Sequence, residues 1–128
     1  MAWGLSAYLR NKFLECLRGN SFSVATVYIQ MHTGDPGPNG TANVSAGASG
    51  RKAVTYSAAA SGSMTTSAGT GNWTNSGVTE TLAGYSRWDA PTSGNFLGSV
   101  QSAAAKTWSS GETVAVASDT LSVSPAAA

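Results

Sequence analysis

Residues 27–32 read VYIQMH, and the alternation in this hexapeptide decides the fold class. Val27, Ile29 and Met31 fall on one face of an extended chain, and Tyr28, Gln30 and His32 fall on the other. That period builds a half-buried strand. Downstream, short strand-like segments recur at 52–57, 63–67, 70–74, 79–89, 95–101, 106–108, 113–117 and 120–124, separated by Ser-Gly, Gly-Asn and Ser-Asp turns. No second helix is available for parallel crossovers. The pattern therefore predicts a mainly β chain, an antiparallel β-sandwich or jelly-roll-like domain.

Upstream, residues 3–18 (WGLSAYLRNKFLECLR) change period. Leu5, Tyr8, Leu9, Phe13, Cys16 and Leu17 share one stripe of a 3.6-residue helix, with Arg10, Asn11, Lys12, Glu15 and Arg18 mostly opposite. Gly19 and Asn20 stand where a left-handed cap ends such a helix. The chain thus divides into an N-terminal amphipathic helix, 1–20, and a single β-sandwich domain, 21–128. Cys16, on the apolar stripe, reads as a buried thiol. Trp3 and Leu14 fit the stripe less well and leave apolar surface for a second contact. A helix in this place either packs on its own sandwich, covers a sheet edge or docks on another subunit.

Between the first two strands lies one long loop, 33–50, rich in Gly and carrying Pro36 and Pro38. Asp35 before Pro36 fits an Asx turn that opens it. A loop of this length is uncommon without a role, either contact between subunits or disorder. In the segment 85–97, Tyr85 and Arg87 alternate with Ser86 and Trp88, a turn follows, and Phe96 and Leu97 return as a hairpin.

Composition narrows the function. Gly, Ala, Ser and Thr make up over half of the 128 residues, and only 10% are charged against roughly 25% in ordinary soluble domains. Much of the surface is expected to face protein. A net charge of +1 gives no basic stripe for nucleic acid or membrane. Cys16 is the lone cysteine, which excludes an intrachain disulfide, and the N-terminal region carries no signal-peptide pattern; assembly in a host cytoplasm is expected. His32 is the single histidine and lacks partners at ligand spacing, and the six carboxylates are scattered, so no catalytic, metal or cofactor site is expected. Trp73, Trp88 and Trp108, with Tyr28, Tyr56 and Tyr85, are read as core or interface volume, with a sugar site as the competing reading.

Taken together, LSAYLRNKFLECLRG, VYIQMHTGDPG, RKAVTYSAAASG and WDAPTSGNFLGS resemble a family of small tailed-bacteriophage virion proteins, over nearly the whole chain. The segment 64–81 is the least alike, and no active-site residue carries over. The resemblance implies a non-enzymatic virion structural protein. Without repeats for a fibre stalk, the chain reads first as a capsid decoration (minor capsid) protein on the capsid surface, bridging the major capsid protein and copies of itself as a homo-oligomer. The alternative is a tail-associated protein, minor tail or tail fibre, contacting host surface glycans. The expected interface residues are Trp3, Leu5, Tyr8, Leu9 and Phe13 from the helix and Asp35, Pro36 and Pro38 from the loop.

Overall fold

The computed structural model describes residues 3–122. The end of the last expected strand, 123–124, and the alanine tail lie outside the described residues. Helix α1 spans Ala7–Cys16, and eight strands follow: β1 (Val27–His32), β2 (Lys52–Tyr56), β3 (Ser63–Ala68), β4 (Trp73–Thr74), β5 (Glu80–Trp88), β6 (Phe96–Trp108), β7 (Thr113–Val114) and β8 (Thr120–Ser122). All pairings are antiparallel. Six strands form one curled sheet in the order β6-β5-β1-β2-β3-β8, and β4 pairs with β7 in a separate ribbon. The expected mainly β, sandwich-like architecture with one helix is what the chain adopts.

The alternation in β1 orients the core. Ile29 and Met31 are buried and pack with Val54 of β2, Leu82 and Tyr85 of β5 and Trp108 of β6, while Trp73 of the ribbon and Val116 close over them. Leu82 and Tyr85 are an odd number of residues apart, yet both reach this core. A bulge explains it: the β5–β6 register jumps between Leu82 and Gly84, which moves Tyr85 onto the face that Leu82 occupies. On β6 the same jump sets residues 102–105 against Ala83 alone. The two segments expected at 95–101 and 106–108 are therefore one strand, interrupted in pattern and not in course.

Trp73, Trp88 and Trp108 are 2%, 5% and 0% exposed, which assigns them to the interior. The hairpin after β5 is held by Asp89, whose carboxylate accepts from Asn95 N at 2.7 Å and Asn95 Nδ2 at 2.8 Å. Arg51 lies 3.8 Å from the Trp88 ring centroid and donates to the carbonyls of Ala90 and Ser93, binding the turn to the lead-in of β2.

A buried ionic cluster joins the distant strands. Asp119, before β8, receives Arg87 Nε at 2.7 Å and Arg87 Nη2 at 2.6 Å, a two-pronged contact, and also the hydroxyls of Tyr56 at 2.5 Å and Tyr85 at 2.7 Å. The alternation of Tyr85 with Arg87 is what sends both side chains to it. Asp119 further exchanges backbone and side-chain bonds with Thr66 of β3.

The N-terminal segment covers part of the β6 edge. Ser6 N donates to Leu97 O at 3.0 Å and Ser99 N to Gly4 O at 2.8 Å, with Leu5 bridged to Gly98. A Cβ at Gly98 would lie 2.7 Å from Gly4 O, so only glycine permits this approach. Ser6 then caps α1, its Oγ accepting from Leu9 N at 3.1 Å. At the far end Gly19 (φ +89) donates to Cys16 O and Asn20 to Glu15 O, the left-handed termination expected there.

Asp119→Asn should cost about 3–5 kcal/mol in chemical denaturation, because it leaves the Arg87 guanidinium buried without a counter-charge. Burial opposes ionisation of Asp119, but its hydrogen bonds with Arg87, the guanidinium charge and the two tyrosine hydroxyls outweigh that and hold its carboxyl below the usual range. The stability it contributes is present above the unfolded-chain value and is lost as pH falls through the lower folded value. The wild type should therefore lose stability on acidification below about pH 4, and this component should be missing from the variant.

Candidate functional site

The expected interface residues lie before and along α1 and at the start of the 33–50 loop. At one end the 33–50 loop is ordered against the start of the helix. Asp35 Oδ1 accepts from Gly37 N at 2.9 Å, the Asx turn read from the sequence, and Ala42 N closes onto Pro36 O at 3.0 Å. Gly40, at φ +75, has the Phe96 ring where a Cβ would stand, with Cδ1 at 2.4 Å. A cleft of about 530 Å³ separates the two elements, lined by Leu5, Ala7 and Arg10 on one side and Asp35 and Pro38 on the other. A neighbouring cleft of about 490 Å³ adds Tyr8, Asn39 and Arg51. Leu5, Tyr8, Asp35 and Pro38 are thus brought together. Pro36 is fully buried inside the loop, so its expected place in an interface is corrected to a packing role. Trp3 is half-buried, its ring against Gly84 where a side chain would clash.

At the other end the apolar stripe outruns its support. Leu9 is buried, but Phe13 is 37%, Leu14 63% and Leu17 86% exposed, and Cys16 is exposed as well. The expected buried thiol is corrected. The physical reason is the tether: residues 4–6 pin the helix to β6, and beyond the second turn no sheet lies beneath it. An apolar groove of about 430 Å³ runs between helix and sheet, lined by Leu9, Phe13, Phe22, Val27, Met64 and Leu121. Tyr8 meets Phe22 edge-on at 6.2 Å, and Lys12 lies 5.5 Å above the Tyr8 ring. The polar side of the helix is self-contained, with Arg18 Nη1 bound to Glu15 at 2.8 Å and Asn20 Nδ2 to the same carboxylate.

Phe22, half-buried in the groove, and the exposed Leu17 are the residues that sequence reasoning left out of the expected interface. Leu14 carried a signal, its misfit to the stripe. Nothing in the pattern tells how far along the stripe the sheet extends.

Glu80, His32, Tyr56 and Tyr85 are engaged in structural bonds. Glu80 is drawn toward the neutral form by burial. The Ser45 hydroxyl, Trp108 Nε1 at 3.1 Å and the amides of Gly47 and Ala46 together outweigh that and lower its pKa. His32 is fully buried, between Ala42 O at 2.8 Å from Nδ1 and Ser86 Oγ at 2.7 Å from Nε2. Burial pushes both Tyr56 and Tyr85 well above the usual phenol range, and the Asp119 carboxylate they bond to pushes them in the same direction. Among the described residues every fully buried side-chain nitrogen or oxygen has a partner, and no group of three or more His, Cys, Asp or Glu is placed to hold a metal. Trp73, Trp88 and Trp108 serve as core volume, and Trp88, 5% exposed, also lines the cleft of about 490 Å³.

The model of a protein family described as "Podophage GP4 fiber I protein gp80" matches residues 4–124 of the chain. None of the curated proteins matches it.

The uneven cover of the helix has a direct thermodynamic check. Leu9→Ala should cost about 2–3 kcal/mol in urea unfolding. Leu17→Ala should change stability by no more than about 0.5 kcal/mol.

Proposed function

The chain belongs to the podophage GP4 fiber I protein gp80 family, a family of phage virion structural proteins, and on that premise we propose that it is a non-enzymatic building block of a tail fibre. The family's description favours this tail-associated reading over capsid decoration, so the neighbour proposed is a fibre component or a second copy of the chain, and the major capsid protein is set aside. The observation that carries the reading is the uncovered end of α1. Leu14 and Leu17 are exposed on the last turn of a helix whose start is fastened to the sheet and whose Leu9 and Phe13 line an apolar groove. Exposed apolar surface of this kind, on a chain with so few charges, marks a protein contact. The first two turns serve the fold and the last turn serves assembly.

A fibre block must transmit force without deforming. The buried ionic cluster at Asp119 and the tethered N-terminus supply that rigidity here. A contact made by leucines and geometry also holds at high salt, where an ion-pair contact weakens.

The test separates fold from assembly. In phage carrying Leu14→Glu with Leu17→Glu, purified particles should contain at least about tenfold less of the protein than wild-type particles, by quantitative mass spectrometry, because a charge buried at a contact core is costly. The isolated double variant should melt as the wild type does. Wild-type copy number in the particles would overturn the assignment of this surface.

A further inference from the structure

The bonds around His32 form a chain whose direction is fixed by chemistry. The Trp88 indole is a donor only, so at 2.7 Å it gives its proton to Ser86 Oγ. The Ala42 carbonyl is an acceptor only, so at 2.8 Å it receives the proton of His32 Nδ1. Between them, at 2.7 Å, the Ser86 hydroxyl gives its own proton to His32 Nε2. The imidazole is therefore the neutral Nδ1–H tautomer, and every polar atom in the chain is used. A second proton on Nε2 would turn the Ser86 hydroxyl proton away from its acceptor and place a charge in a site with no exposure.

The charged groups near this site offer it no counter-ion. Arg51, at the lead-in of β2, acts on the imidazole as a like charge. Arg87, the next residue on β5, points to the opposite face and is bound to Asp119. Asp89, past the end of β5, is engaged by Asn95, and Asp35 on the loop by Gly37 N. Glu80 holds the far half of the loop at 45–47 and not the near half.

His32 is also where the near half of the loop is fastened. Val44 bridges to it, Thr33 N donates to Asn43 O at 2.8 Å, and Asn43 Nδ2 donates to Asp35 O at 2.9 Å. We propose that His32 is an acid-sensitive latch: protonation of its Nε2 turns the Ser86 hydroxyl off the ring and leaves a charge with neither water nor a counter-ion, and residues 33–43, fastened to the ring through Ala42, come away from the sheet and from the start of α1 to let water reach it, while the sheet stays folded. The clefts between loop and helix, lined by Asp35, Pro38 and Asn39, are the surface that this release opens. Burial, the largest influence, and Arg51 lower the pKa of the imidazole, and the backbone bonds to Ala42 and Asn43 act the other way without reversing it. The latch is closed at neutral pH and gives way as pH falls through the depressed folded value.

His32 is the single histidine, so its ring proton resonances in the full chain can be followed without ambiguity. The test is an NMR titration from pH 8 to pH 4 with amide hydrogen exchange, corrected for intrinsic rates, at each end. The ring should titrate below its ordinary value of about 6.5. In the same step, amides of 33–43 should lose about tenfold or more in protection while those of β1 and β5 keep theirs. A midpoint at the ordinary value, protection in the loop that is independent of pH, or loss of protection throughout the sheet in the same step would each overturn the latch. His32→Asn, whose amide can still donate to Ala42 O, should keep the loop closed at acid pH. Should that variant fail to fold, the wild-type titration still decides.

Discussion

The carboxylate of Asp119 is the point on which the rest of the structure depends. It lies before the last strand and receives four bonds, two from Arg87 on β5, one from Tyr85 on the same strand and one from Tyr56 on β2. Those elements are far apart in sequence and sit at different positions in the sheet order. Only a curled sheet brings them to one atom pair, and the pair in turn holds the curl. Burying an ion pair gains little over a well-packed apolar alternative, so its merit is specificity: one register of β5 and of β2 on the β1 strand between them satisfies it, and a slip of β5 by one residue sends Tyr85 and Arg87 to the wrong face.

With so few charges in the chain, the use of each is informative. Glu80 gathers the far half of the long loop, Asp89 closes the hairpin and Asp35 opens the loop. The acidic groups are tied mainly to the backbone and to neighbouring side chains of their own chain. Under the proposed function, the surface left to meet a neighbour is the uncovered turn of α1.

Much of this was legible in the residues. The alternation in VYIQMH placed β1 and its buried face, Gly19 and Asn20 placed the helix end, and the Asp35-Pro36 pair placed the Asx turn. The buried tryptophans followed from the need for volume among so many small residues. Other features needed the fold. The bulge at 102–105 has no sequence mark beyond three alanines, so β6 read as two strands. The partnership of Asp119 with Arg87 depends on curvature, and the exposure of Cys16 and Leu17 depends on where the sheet stops. Sequence periodicity defines which side chains share a face of a helix. It carries no information on how much of that face is covered.

The measurement that tests the account most directly is cryo-electron microscopy of intact particles, with density fitted by this chain. The account requires that density along the tail, oriented so that Leu14 and Leu17 meet a neighbouring protein and the Asp119 cluster lies within the body of each copy. Density on the icosahedral shell, or a tail position in which that turn of the helix faces solvent, would contradict it.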